Sequence, residues 1–267
     1  MKLLNAYLWG YSNAEAAYHS FRKFREFYPD GNIHIQVDTG GDMDSYNKVA
    51  DEWGATIKEN EFRVGRCGIF GDYAQTSNGP ENSRECWPKE SCIKWCDNIY
   101  DVCKNSDSKF LIVLEEDSFI LKPISILNRE FGICVFEINT NFIPEVLLKM
   151  VEQLGGNTNT PVGKWGKGYG AGGGFIIDCK KWITSWEYFK PILELNYEML
   201  AAQSKLIGWS DCIAQLVIMV GGYEVISNPL YVQTWYGERP DLYPNYTHWK
   251  ECEIVDYLKD IEEIKKL

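Results

Sequence analysis

Hydrophobic positions in the first part of the chain follow two periods in turn, one typical of strands and one typical of helices. Ser12-x-x-Glu15 has the pattern of a capping box and predicts that the first helix begins at Ser12. The predicted elements are the strand Lys2–Trp9, a helix from Ser12 to Pro29, the strand Ile33–Val37, the helix Ser45–Trp53 and the strand Ala55–Lys58. This order is typical of a parallel sheet.

The rest of the chain continues the mixed pattern. A helix opens at Pro88 and runs to about Lys104, and the continuous apolar run Phe110–Leu114 is typical of a central strand covered on both faces. Further strands are predicted at Gly132–Ile138, Phe175–Asp178, Tyr223–Ser227 and Leu230–Thr234, and further helices at Trp182–Gln203 with an interruption at Pro191, at Ser210–Val220 and at Val255–Lys266. Together they predict an α/β sandwich with a central, mostly parallel sheet.

No internal repeat and no low-complexity linker divides the 267 residues. We therefore predict one domain over residues 1–267, with a first half at about 1–125, a second half at about 126–250 and a C-terminal helix at 251–267. A chain of this length is able to bury a substantial core.

The net charge of −11 excludes the usual partners of basic proteins. Lysine and arginine form no cluster of the kind that binds nucleic acid, and the same balance argues against an anionic membrane surface. No apolar run approaches the roughly 20 residues of a membrane span. The ten Trp and 16 Tyr are compatible with core packing and also with carbohydrate binding, in which flat aromatic faces contact sugar C–H surfaces.

The nine cysteines show no C-x-x-C spacing, so we interpret them as buried small hydrophobic residues in a reducing compartment. The N-terminal residues become polar too early for a signal peptide. These features predict a cytoplasmic protein without an anchor, or a domain of a longer protein.

Three consecutive acidic residues, Glu115, Glu116 and Asp117, end the predicted central strand. Ligands of open parallel sheets bind beyond the carboxyl ends of the strands, and carboxylate oxygens there bind hard divalent cations. Residues 115 and 117 alternate onto one side of an extended chain, whereas Glu116 points to the other side. A solvated acidic turn is the competing interpretation.

The segment from Gly168 to Gly174 contains the spacing G-x-G-x-x-G. A dinucleotide fingerprint follows a strand and opens a helix, whereas these glycines precede the predicted strand Phe175–Asp178, so we reject that interpretation. Glycines such as Gly172 and Gly173 let the backbone approach a ligand closely, and a flexible loop is the alternative.

Two more side chains are candidates by type and position. Asp211 lies at the start of the predicted helix Ser210–Val220, where a cap is the common structural role and a general base is the functional one. His248 is one of three histidines, and a neutral imidazole there is able to bind a metal ion, although a core or exposed histidine is the default interpretation.

In their order along the chain, these features resemble the glycosyltransferases of the GT-A fold. Members have an N-terminal βαβ nucleotide-binding half and a D-x-D motif at a strand end, which Glu115-Glu116-Asp117 matches with Glu in the first position. The segment Gly170–Ile176 is similar to the glycine segment of Fringe-like β1,3-glycosyltransferases, in which an acidic pair at a helix start supplies the base and a C-terminal histidine binds the metal. Asp211 and His248 stand at those places, and the anchorless form is similar to soluble viral or bacterial members.

The resemblance implies a Rossmann-like GT-A domain with a nucleotide half and an acceptor half. The implied reaction moves a hexose or pentose (galactose, glucose or xylose) from a UDP-sugar to a glycan hydroxyl, with Mn²⁺ or Mg²⁺ as cofactor and with inversion, a retaining outcome staying open. Asp117, His248 and Glu115 would hold the metal, and Asp211 would be the base. The implied donor contacts are Ala6, Tyr7, Asp38, Glu116, Gly172 and Gly173, with Trp165, Tyr169 and Trp209 as candidates for stacking on sugar.

Two rival functions stay open. A nucleotidyltransferase shares a βαβ half and acidic metal ligands, but it normally shows a glycine-rich, basic loop after its first strand, and Leu8–Asn13 has neither property. A non-catalytic module that binds a sugar nucleotide or a glycan would show the same motifs without turnover.

Overall fold

The computed structural model describes residues 2–11, 13–64, 87–116, 118–120, 123–135, 143–163, 166–168, 174–204, 207, 210–227 and 254–256. The strands are β1 (Lys2–Gly10), β2 (Ile33–Val37), β3 (Thr56–Glu59), β4 (Ser108–Leu114), β5 (Ser118–Ile120), β6 (Ile133–Val135), β7 (Val162–Gly163), β8 (Gly166–Lys167), β9 (Phe175–Asp178), β10 (Val225–Ser227) and β11 (Ile254–Asp256). The helices are α1 (Ala14–Phe27), α2 (Met43–Trp53), α3 (Lys89–Lys104), α4 (Glu145–Gln153), α5 (Cys179–Gln203) and α6 (Ser210–Val220), with a short 3-10 helix at Ser125–Asn128.

Seven of these strands form one sheet in the order β10-β6-β9-β4-β1-β2-β3. β9 runs antiparallel to both its neighbours, and the other six strands run parallel to one another. The predicted fold class, an α/β sandwich around a mostly parallel sheet, is therefore confirmed. Strands from both halves of the chain lie in this sheet, since β9 from the second half is hydrogen-bonded to β4 from the first.

The two faces of the sheet are covered by different helices. Apolar residues of α1 and α2 pack on one face with Ala6 and Leu8 of β1, whereas those of α3, α4, α5 and α6 pack on the other with Tyr7. Because β1 and β4 lie between neighbouring strands and under helices on both faces, their side chains are almost all buried, which explains their continuous apolar sequences.

Helix α5 runs without a break through Pro191, so the predicted interruption there is wrong. A proline inside a helix costs about 3 kcal/mol through the lost hydrogen bond and the clash of its ring with the preceding turn. The apolar face of α5, with Trp182, Trp186, Phe189 and Leu193 buried, offsets that cost by tertiary contacts.

Two other boundaries differ from the sequence-based expectation. Helix α1 begins at Ala14, and its N-cap is Asn13, whose Oδ1 accepts a hydrogen bond from the backbone N–H of Ala16 at 3.3 Å, so the predicted start at Ser12 is wrong. Ile254–Asp256 forms a strand antiparallel to β5, so the C-terminal helix predicted from Val255 does not begin there.

The predicted strand Leu230–Thr234 and residues 257–267 lie outside the described residues. None of the described helices combines the length and the apolar character that a membrane-spanning segment requires.

Candidate active site at the carboxyl edge of the sheet

The carboxyl ends of β1, β2, β3 and β4 meet at one edge of the sheet because these strands are parallel neighbours. The start of α3 lies at the same edge, since Trp87, just before it, contacts Trp9 near the end of β1 with 5.6 Å between ring centroids. Ligands of open α/β sheets bind beyond such an edge.

The predicted nucleoside contacts Ala6 and Tyr7 lie inside β1, because this strand continues to Gly10. The methyl group of Ala6 is fully buried against the α1 and α2 side of the sheet, and Tyr7 points to the opposite face toward α3. The residue that follows the end of β1 is Tyr11, which the sequence analysis did not select.

Asp38, the residue after β2, is buried and anchored by amide side chains. Its Oδ1 accepts a hydrogen bond from Nδ2 of Asn60 at 2.7 Å. Oδ1 of Asn60 in turn accepts from Nε2 of Gln36 at 2.9 Å and from Nδ2 of Asn98 at 3.0 Å. The network joins the ends of β2 and β3 to α3, and it holds a negative charge at the edge in a fixed orientation.

Tyr7 lies beside this network. Burial, and secondarily the negative charge of Asp38, raise the pKa of Tyr7 well above its usual value. The side chain therefore stays neutral, and its ring is part of the core on the α3 side of the sheet.

Glu115 follows β4 directly and is half-buried at this edge. Its carboxylate oxygens fit the preference of a hard divalent cation. Within the described residues, no group of three or more His, Cys, Asp or Glu side chains is placed to hold a metal ion. The two other predicted ligands, Asp117 and His248, lie outside the described residues.

Glu116 turns away from that position and contacts the loop that follows β1. Its Oε1 accepts hydrogen bonds from the backbone N–H groups of Tyr11 at 2.7 Å and of Asn13 at 3.1 Å, and from the hydroxyl of Tyr46 in α2. Backbone amides at the start of a helix are a common binding site for phosphate. In this protein, the carboxylate of Glu116 accepts from the N–H of Asn13, the N-cap of α1, and from the N–H of Tyr11 before it.

The loops after β1 and β2 are joined to each other as well. The N–H of Asp38 donates to the carbonyl of Gly10 at 3.1 Å, and the N–H of Asp42 donates to the carbonyl of Tyr11 at 2.9 Å. The ring of Tyr11 lies under the guanidinium of Arg63, with 3.5 Å between the guanidinium carbon and the ring centroid. Tyr11 and Arg63 thus form a stacked pair beside the strand ends.

Five residues of this edge were not predicted from the sequence: Tyr11, Arg63, Tyr46, Asn60 and Asn98. A consistent rule was available for two of them, because Tyr11 and Asn60 follow β1 and β3 just as Asp38 follows β2 and Glu115 follows β4. The other three reach the edge from a helix or a loop, and no local sequence signal marks them.

The end of the glycine run lies next to the acidic segment. Gly174 has a φ of 96°, in the region that favours glycine, and its N–H donates to the carbonyl of Val113 at 2.6 Å, two residues before Glu115. β9 then leaves this edge antiparallel to β4. Gly172 and Gly173 themselves lie outside the described residues.

Helix α6 also starts close to this edge. Sγ of Cys92, in the first turn of α3, donates to the carbonyl of Ile207 at 3.8 Å, and Ile207 precedes the first residue of α6, Ser210, by three positions. Asp211 is the second residue of that helix, and its side chain lies outside the described part of the structure. Among the predicted aromatic sugar contacts, Trp165, Tyr169 and Trp209 are likewise outside it.

Further along α6, Gln215 is fully buried and tied to the segment before the glycine run. Its Nε2 donates to Oγ1 of Thr160 and to the carbonyl of Gly168, each at 2.7 Å. The helix that carries Asp211 and the segment that leads into the glycine run are therefore held together.

Comparison with known proteins gives structural likeness without sequence likeness. The sequence matches no protein-family profile and no curated protein. The structure is similar to that of the galactosyltransferase LgtC in complex with donor and acceptor sugar analogues, with a TM-score of 0.43 and 14% identity over 94% of this chain and 86% of that chain. An active-site mutant of LgtC gives a TM-score of 0.44 at 14% identity with the same coverage. Mouse xyloside xylosyltransferase 1, in its apo form, gives a TM-score of 0.47 and 10% identity over 95% of this chain and 97% of that chain.

Proposed function

We propose that this chain is a GT-A type glycosyltransferase that transfers a hexose or pentose from a UDP-sugar to a hydroxyl group of a glycan. The donor sugar is galactose, glucose or xylose, and the transfer inverts the anomeric carbon. The donor binds at the carboxyl edge of the sheet, and the acceptor approaches from the side of α6.

The observation that carries this proposal is the convergence of three motifs that are far apart in sequence. Glu115 stands beyond β4, the N–H of Gly174 is bonded to Val113 of the same strand, and α6 starts near the first turn of α3. An acidic strand end, close backbone from a glycine run and a carboxylate at a helix start are the parts that a sugar-nucleotide transfer requires.

Different residues of the chain bind the nucleoside and accept the proton of the acceptor. Asp38 and Tyr11 bind the nucleoside, since a buried, hydrogen-bonded carboxylate and an aromatic ring follow the neighbouring parallel strands β2 and β1. Asp211 accepts the proton of the acceptor hydroxyl while that oxygen forms its bond to the anomeric carbon and the bond to the UDP oxygen breaks. The acceptor oxygen approaches opposite the departing UDP, which gives inversion.

A divalent ion, Mn²⁺ or Mg²⁺, would be held by Asp117, His248 and Glu115 and would supply neutralising charge to the diphosphate when bound. Glu115 directly follows β4 and is half-buried there, which supports its part in this proposal. The pair formed by Arg63 and Tyr11 adds a cation at the same edge, in a protein whose net charge is −11.

The arrangement of Glu116 argues against the nucleotidyltransferase alternative. In that class the loop after the first strand binds a triphosphate through its backbone amides and basic side chains. Here the amides of Tyr11 and Asn13 donate to the carboxylate of Glu116, so an incoming phosphate would meet a negative charge at that position.

A panel of UDP-sugars incubated with the protein and Mn²⁺ tests the proposal through slow release of UDP by hydrolysis. We expect release with one of UDP-galactose, UDP-glucose and UDP-xylose. Neither release nor binding with any donor would refute the proposed function, and binding without release under any acceptor condition would favour a non-catalytic module.

Two variants separate the parts of the mechanism. Asp117→Ala should abolish metal-dependent UDP binding, and unchanged binding would remove Asp117 from the site. Asp211→Asn should abolish transfer and leave UDP binding intact, and full activity would remove Asp211 from the mechanism. Asp51→Asn, on the exposed face of α2, is a matched control that should behave like the wild type.

A further inference from the structure

The carboxylate of Glu116 connects three elements of the edge. Its Oε1 accepts hydrogen bonds from the N–H groups of Tyr11 and Asn13, which belong to the β1–α1 loop, and from the hydroxyl of Tyr46 in α2. Glu116 itself follows β4. One side chain therefore joins the end of β4 to the loop after β1 and to α2.

The contacts around this carboxylate leave the loop little freedom. A Cβ atom on Gly10 would lie 2.6 Å from ring atoms of Tyr46, so the loop backbone passes directly against that ring. The carbonyl of Tyr11 accepts from Asp42 while its N–H donates to Glu116. Both backbone groups of Tyr11 are thus held, and its ring lies against the guanidinium of Arg63.

We propose that Glu116 is a positioning residue: it accepts from the N–H groups of the loop that leads into α1 and thereby holds the backbone of Tyr11 where the ring receives the nucleoside. This replaces direct contact with the donor sugar as its role, and it rests on the proposed function.

The physical reason is electrostatic. The N–H of Asn13, the N-cap of α1, and the N–H of Tyr11 in the loop before it carry partial positive charge, and an ionised carboxylate accepts charge-assisted hydrogen bonds from them that are stronger than neutral ones. Glutamine at this position keeps the size of the side chain and an accepting oxygen, but it removes the charge. Glu116→Gln therefore isolates the proposed role with little change in volume.

The contacts of Glu116 with the loop can be tested in the free protein, without any ligand. Hydrogen exchange of the free protein should show the Tyr11 and Asn13 amides exchanging about tenfold faster in Glu116→Gln, with the interior amides of β4 unchanged. Tyr46→Phe keeps the ring against Gly10 and removes one donor, so it should shift the same two amides in the same direction by a smaller factor. Glu198→Gln, exposed on α5, is the control and should shift neither.

Ligand affinities then distinguish a positioning role of Glu116 from direct contact with the donor sugar. Glu116→Gln should weaken UDP with Mn²⁺ and uridine without metal by the same factor, about tenfold, because both depend on Tyr11. Unchanged UDP affinity with a loss confined to the UDP-sugar would overturn the proposal in favour of a donor-sugar contact. Unchanged exchange at Tyr11 and Asn13 in both variants would overturn it as well.

The outcomes also distinguish this proposal from the function on which it rests. If the wild type binds neither UDP nor uridine, the proposed function fails, while the exchange rates still decide whether Glu116 holds the loop. If the wild type binds UDP and Glu116→Gln binds it equally well, the function stands and the positioning role fails.

Discussion

Asn60 donates a hydrogen bond from its Nδ2 to Oδ1 of Asp38, with 2.7 Å between the two atoms, and both side chains are almost completely buried. The two residues follow neighbouring parallel strands, β3 and β2. Oδ1 of Asn60 accepts from Gln36 and from Asn98, so the amide of Asn60 has a single compatible orientation. Through this contact, Asn60 at the end of β3 holds the carboxylate of Asp38 at the end of β2 in one orientation.

We expect Asn60→Ala to destabilise the protein by about 3 kcal/mol, since it leaves a buried carboxylate without its amide donor and two further amides without their acceptor. Chemical denaturation measures the loss. Asn159→Ala, at an exposed position, should change the free energy of unfolding by less than about 0.5 kcal/mol. Equal stability of the two variants would show that the network does not hold Asp38.

Glycine is required at position 10 because the backbone there lies directly against the side chain of Tyr46. A Cβ at Gly10 would lie 2.6 Å from the ring, so Gly10→Ala should cost about 2 kcal/mol through overpacking. Gly40 has a φ of 80° and open space around it, so Gly40→Ala should cost about 1 kcal/mol for backbone conformation alone. Thermal unfolding of the two variants compares them, and a smaller effect at Gly10 would mean that Tyr46 moves aside freely.

Gln215 joins α6 to the segment before the glycine run by donating to Thr160 and Gly168. Gln215→Leu removes both bonds and should cost about 1–2 kcal/mol. Gln215→Glu should cost more, because it buries a carboxylate that is unable to donate to Oγ1 of Thr160 or to the carbonyl of Gly168. If urea denaturation gives the reverse order, Gly168 is not held by this side chain.

His34 in β2 gives a pH dependence of stability. Burial, and then the positive charge of Lys58, lower the pKa of His34 below its usual 6.5, although Asp107 acts in the opposite direction and Lys2 adds to the lowering. Nδ1 contacts Oγ1 of Thr56 at 2.8 Å, and Nε2 is buried without a hydrogen-bond partner among the described residues. A proton on both nitrogens is therefore unfavourable in the folded state.

Because the unfolded chain binds this proton more tightly than the folded protein does, stability should fall as the pH drops below about 6.5. Denaturation of the wild type and of His34→Gln between pH 7.5 and 5.5 measures the effect. The variant should lose less stability over this range than the wild type. A parallel fall in the two proteins would assign the pH dependence to other groups.

Local patterns determined much of the sheet. The continuous apolar run Phe110–Leu114 predicts the central strand because a strand covered on both faces needs no polar alternation, and β4 contains that run. Phe175–Asp178 and Ser210–Val220 were predicted with the bounds that the structure has. Pro191 shows the limit of such rules, since long-range packing of α5 outweighs a strong local preference.

The sequence by itself determined that carboxylates stand at the end of a buried strand, because the type and the order of residues are local properties. Only the tertiary structure decided what each of them contacts. Glu116 and Tyr11 are separated by 105 positions and are hydrogen-bonded because β1 and β4 are neighbours in the sheet. Strand order results from the whole core, to which described residues from Leu4 to Ile226 contribute, so no local pattern encodes it. For Asp117, Asp211 and His248, the proposed roles stay predictions from the sequence.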